Sequence, residues 1–114
     1  MLAQFGAPGV QNPTIVDLIT LDTTSDKVVL VMVEHRSWGA SPRQFREIEE
    51  KINRYLGYAL DGFLAEHYPR YEGKAVRIRL DCPEPPSGAA APFVDAARRA
   101  IEAQGVEFVV NVAP

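Results

Sequence analysis

The chain is poor in the residues that most often carry chemistry: one cysteine, one tryptophan and two histidines in 114 residues. A single cysteine, Cys82, excludes an internal disulfide and fits a reducing compartment. The histidines, His35 and His67, stand far from each other and from Cys82, without the close pairs that zinc sites use. Long apolar runs are missing as well. The longest, Val28 to Val33, falls far short of the roughly 20 residues that span a bilayer, so no membrane is expected. The first eleven residues lack the basic start and apolar core of a signal peptide, which makes the cytoplasm the expected location. An excess of positive charge is also absent. Twelve basic residues against fifteen acidic ones leave a net charge of −3, which argues against nucleic acid as a partner. The glycines at 6 and 9 follow no strand pattern, so there is no phosphate-cradling loop, and no cofactor is expected.

What is present is an ordinary globular composition. An apolar fraction of 46% is too high for a disordered chain, and the length fits one domain of about 100 to 150 residues. Residues 1–13 hold two glycines and two prolines with little periodicity and read as a flexible arm. The domain is expected over residues 14–114. Within it, TIVDLITLD and KVVLVMVE are β-branched runs joined by the turn residues Thr23 to Asp26, which predicts a hairpin. The second run is apolar on both faces and belongs in the middle of a sheet. Ser41, Pro42 and Gln44 form a capping box. They open a long helix whose apolar stripe runs through Phe45, Ile48, Ile52, Tyr55, Leu56, Ala59, Leu60, Phe63 and Leu64. Glu47 with Lys51 and Glu50 with Arg54 are placed on its wet side as (i, i+4) pairs. Gly57 and Gly62 weaken its second half, and it must stop before Pro69. KAVRIRLD alternates cleanly, with Arg77 and Arg79 facing out; CPEPPSG is a loop; residues 91–104 make a second helix that Gly105 ends; VEFVVNV closes the chain. The order β-β-α-β-α-β predicts an α+β fold: a mixed four-stranded sheet, its first two strands antiparallel, its last two parallel, with both helices on one face.

At several points the sequence resembles a family of small bacterial proteins known as a conserved domain of unknown function. The resemblance rests on VDLI at Val16 to Ile19, Trp38 after the second strand, and EKINRYL at Glu50 to Leu56. It continues through HYP at His67 to Pro69, Gly73 with Lys74, and QGVEF at Gln104 to Phe108. It covers about Thr14 to Val110. The Gly- and Pro-rich arm and the Ala-rich second helix depart from that pattern. The resemblance implies no activity for any residue.

Two regions stand out chemically. Glu34, His35, Arg36 and Trp38 lie between a central strand and the long helix, where α/β sheets place ligands. They could bind a small anion or stack on a planar molecule. The simpler reading is a polar connection with Trp38 as a lid over the helix start. Cys82 follows a strand end and could meet His35 as nucleophile and base, but a lone cysteine is more often an inert core residue. His67 reads as a helix-end residue. The tyrosines Tyr55, Tyr58, Tyr68 and Tyr71 are expected to be exposed and to form an interface. No nucleophile, base and orienting group can be assembled, which weighs against an enzyme. The favoured expectation is a protein-interaction module, binding a protein partner or a second copy of itself; a ligand site at Glu34 to Trp38 is the alternative.

Overall fold

In a computed structural model, residues 9–10 and 16–113 are described. β1 (Leu18–Asp22) and β2 (Lys27–Val33) form the expected hairpin, paired antiparallel from Leu18↔Val31 to Asp22↔Lys27. Asp22 closes the turn by accepting from the Thr24 amide at 3.0 Å and the Ser25 hydroxyl at 2.9 Å. β3 (Val76–Cys82) lies parallel to β2, and β4 (Glu107–Val112) parallel to β3, so the order across the sheet is β1-β2-β3-β4. The fold is the α+β arrangement that the sequence predicts.

Alternation along the strands explains the two layers. Val28, Leu30, Met32, Ile78, Leu80 and Phe108 point to one face. There they join Ile48, Ile52, Tyr55 and Leu56 of α1 (Gln44–Leu60) and Val94 and Ile101 of α3 (Ala90–Glu102) in one core. The opposite face carries charge. Arg77 donates to Glu107 at 2.6 Å and to Asp22 at 2.9 Å, while Lys27 reaches Glu107 at 3.0 Å. Arg79 pairs with Asp81 at 2.8 Å. β2 is buried along both faces, as a central strand requires.

The long helix divides where glycine permits it. α1 ends at Leu60, and Gly62 takes φ +91, a left-handed value that other residues adopt only with strain. The short α2 (Phe63–His67) follows, then a 3-10 turn at Pro69–Tyr71. No break occurs at Gly57. The start of α1 differs from the capping box. The helix begins at Gln44, and the Ser41 hydroxyl accepts from the Arg43 amide at 3.1 Å instead. The Gln44 side chain turns back across the preceding loop, accepting from the Gly39 amide at 2.7 Å and donating to the Ser37 carbonyl at 3.1 Å. A buried amide satisfied twice by a loop outcompetes an exposed reciprocal cap.

Lys51 also departs from expectation. It does not sit on the wet side beside Glu47. Its side chain is 0% exposed and pairs with Asp17 at 2.6 Å, while Glu47 pairs with Arg36 at 2.9 Å. Gly9 and Val10 fall inside the expected arm, yet Val10 is 1% exposed within the core and donates to the Val33 carbonyl at 2.9 Å. The remainder of that arm lies outside the described residues. Among the described residues, no helix is long and apolar enough to cross a membrane.

Candidate functional site

The carboxyl ends of β2, β3 and β4 converge on a cleft of about 210 Å³ lined by Val33, Glu34, His35, Asp81, Cys82, Pro83 and Ala113. Parallel pairing creates it, because strands that run side by side deliver their following loops to one edge of the sheet. The Glu34 amide donates to the Asp81 carbonyl at 2.8 Å, extending the ladder one residue past β2. The Ala113 amide donates to the Cys82 carbonyl at 2.8 Å and does the same for β4. His35 and Cys82, distant in sequence, therefore face one space.

The polar groups of this region are largely engaged with each other. The buried Glu34 carboxylate accepts from the Arg36 amide at 2.9 Å and from its guanidinium at 2.8 and 2.9 Å. Arg36 also reaches Glu47. Glu34 first, and then Glu47, hold this guanidinium more firmly charged than usual. Glu34 and Arg36 thus form an internal ion cluster that anchors the loop to α1. Trp38 is half-buried; its indole N–H donates to the Glu84 carbonyl at 2.9 Å. Its ring sits 6.5 Å from Phe45, which stacks on Phe93 at 4.5 Å. That is the lid over the helix start. A shallow space of about 260 Å³ opens beside it, lined by Gly39, Ser87 and Gly88 among others.

His35 is exposed at the mouth of the cleft. Cys82 is 2% exposed, and burial, with Asp81 beside it, pushes its thiol up. A thiol held protonated is a poor nucleophile at neutral pH. No group of three or more His, Cys, Asp or Glu able to hold a metal occurs among the described residues.

The four tyrosines separate. Tyr55 is 1% exposed and Tyr71 is buried, so neither lies on an exposed aromatic surface as expected. The Tyr55 hydroxyl accepts from the Asp17 amide at 2.9 Å and donates to the Val31 carbonyl at 2.7 Å, which is why a tyrosine can occupy the core stripe. Tyr58 and Tyr68 remain half-exposed. Tyr58 bonds His67 Nδ1 at 3.0 Å, placing His67 at the end of α2 as expected. Arg70 lies over Tyr68 and Tyr71, 5.7 and 4.9 Å from their ring centres. Nearby in the chain, Leu60 and Phe63 flank Gly62 and are 48% and 49% exposed.

Sequence reasoning missed the buried cluster of Asp17, Lys51 and Tyr55. A signal existed: Lys51 lies three residues after Ile48 and four before Tyr55, on the core side of the stripe. A second groove, about 340 Å³, runs between α1 and α3 over Ile52, Leu56, Phe93, Ala97 and Ala100.

A family model described as "Family of unknown function" matches residues 9–114. Neither a curated protein nor a solved structure matches this chain. With nearly its whole length matched, the chain belongs to that family of unknown function, DUF6572.

Proposed function

We propose that this chain is a small cytoplasmic protein-interaction module that docks its partner, a second copy in the first instance, on the corner where α1 passes into α2. The observation that carries this reading is the exposure of Leu60 and Phe63, two large apolar side chains on either side of one turn. Half-exposed Tyr58 and Tyr68 and the stacked Arg70 lie in the same stretch of chain. Aromatic residues are enriched at interfaces because they bury large areas while giving up few rotamers, and arginine because its planar guanidinium stacks on rings and offers several donors. The acidic balance of the chain supports a protein partner over nucleic acid.

The test is light scattering across a concentration series on the full chain and on a Leu60→Asp, Phe63→Asp double variant. Both positions are exposed, so the variant keeps its far-UV circular dichroism. The expected result is a mass that rises toward a dimer for the parent chain and stays monomeric for the variant. A parent chain that stays monomeric removes self-association. A dimer that the variant leaves intact sinks this surface.

The cleft supports a second reading, a small-ligand site, because it brings His35, Glu34 and Cys82 to one space. A thermal-shift screen of small anions and planar acids tests it. Ligands acting here stabilise the parent chain and lose their effect in His35→Ala.

A further inference from the structure

Gly9 is held in an unusual way. Its N–H donates to Asp17 Oδ1 at 2.8 Å, its carbonyl accepts from Lys51 Nζ at 2.5 Å, and those two side chains pair with each other at 2.6 Å. Val33, the last residue of β2, completes the ring: it donates to Asp17 Oδ2 at 2.8 Å and accepts from Val10. The Asp17 amide is tied in turn to Tyr55. Two residues far from β2 in the chain are thereby clamped to its end by a charge pair removed from water. The Val10 side chain fills a place in the core.

A buried ion pair is a poor source of stability, because desolvating two charges offsets most of their attraction; its best-attested use is to select one arrangement over others. Burial pulls the Lys51 ammonium below the ordinary lysine range, with Asp17 opposing that pull. The strap also reaches the cleft. Gly9 has φ +137, and a β-carbon there would stand 3.5 Å from both the His35 imidazole and the Val33 carbonyl. The backbone at Gly9 therefore lies directly against the histidine at the cleft mouth.

We propose that Gly9–Val10 is a releasable strap, latched in one register by Lys51 and Asp17, and that the latched strap sets the position of His35 at the cleft. Release frees the end of β2 and the His35 loop together, while the remaining sheet stays paired. Glycine is favoured at position 9 because its φ of +137 strains any residue with a β-carbon, while the 3.5 Å approach to His35 would be an ordinary contact. The latch stands independently of the partner-docking reading, since it involves neither Leu60 nor Phe63.

Residue-resolved amide exchange on the full chain tests the proposal, with the His35 ring resonances followed in the same samples. In the parent chain, Gly9, Val10 and Val33 are expected to exchange far more slowly than free peptide. A Lys51→Met, Asp17→Asn double variant removes both charges and keeps an acceptor for one of the two amides, Gly9 or Val33, because asparagine offers a single carbonyl oxygen. It should accelerate those three by about 100-fold or more, shift the His35 resonances, and leave Ile78 and Leu80 unchanged. Gly9→Ala, which keeps the ion pair and tests the strap alone if the double variant does not fold, should produce the same local pattern. Free-peptide rates at Gly9 and Val10 in the parent chain would overturn the strap. Unchanged rates in the variants, or one uniform acceleration that includes Ile78 and Leu80, would overturn the latch.

Discussion

Tyr55 shows how one hydroxyl can decide where a residue belongs. Its ring continues the apolar stripe of α1, and its oxygen joins the Asp17 amide to the Val31 carbonyl. Tyr55→Phe keeps the ring and leaves two main-chain groups without that partner, so urea unfolding should report a loss of about 1–3 kcal/mol. Burial pushes the Tyr55 phenol well above the ordinary tyrosine range. A group whose folded pKa is raised stabilises the fold below its unfolded value, and that contribution is lost as pH climbs past about 10. In an alkaline absorbance titration of the four tyrosines, Tyr55 should therefore ionise only together with unfolding. Early, reversible ionisation of all four would show that its hydroxyl is open to water.

Arg77 gives the opposite sign. It is the main cause that holds the Asp22 carboxyl down at about 2 and keeps Glu107 below the usual carboxylate range. Depressed carboxylates stabilise the fold above their unfolded values, and the contribution fades as pH falls from about 4.5 toward about 2. Arg77→Gln should flatten the loss of stability across that window, measured as urea midpoints from pH 6 to pH 2.5. An unchanged slope would assign acid sensitivity to other groups.

At the scale of the element, the stripe of α1 was legible and its exceptions were not. Ile48, Ile52, Tyr55 and Leu56 face the core as periodicity predicts. Ile52→Asp should abolish cooperative folding by burying an unpaired charge, whereas Glu49→Asp on the exposed side should stay within about 0.5 kcal/mol. If both melt alike in a thermal scan, the stripe is misplaced. Lys51 and Gln44 were misread for a shared reason. Periodicity assigns a face by polarity, and a polar side chain can occupy the buried face when groups outside the helix supply its hydrogen bonds. Among the described residues, hydrogen-bond partners such as Gly9 and Asp17 for Lys51 and Ser37 and Gly39 for Gln44 lie outside the helix. Gly62 was legible as a breaker because its effect is local: a left-handed residue ends a helix whatever surrounds it.

Across the whole molecule, the antiparallel first pair and the parallel last pair follow from chain connectivity; the order β1-β2-β3-β4 across the sheet and the surface do not. A corner such as Leu60 and Phe63 associates by removing apolar area from water, which salt does not screen. Raising the salt from about 0.1 to about 1 M should therefore leave the light-scattering mass curve of the parent chain roughly in place. A dimer that dissociates in salt would point instead to the charged face around Arg77 and Arg79.

Local rules carried the sequence a long way: alternation, helical period, turn residues and the right-handed crossover determine four strands, their directions and two helices on one face. Each acts over a few residues, so each can be read without neighbours. Tertiary structure alone decided which polar groups are buried, that Tyr55 and Tyr71 are not surface residues, and that His35, Cys82 and Gly9 meet at one end of the sheet. Those outcomes depend on contacts between segments tens of residues apart, whose hydrogen bonds and exclusion of water exist only once the layers have closed.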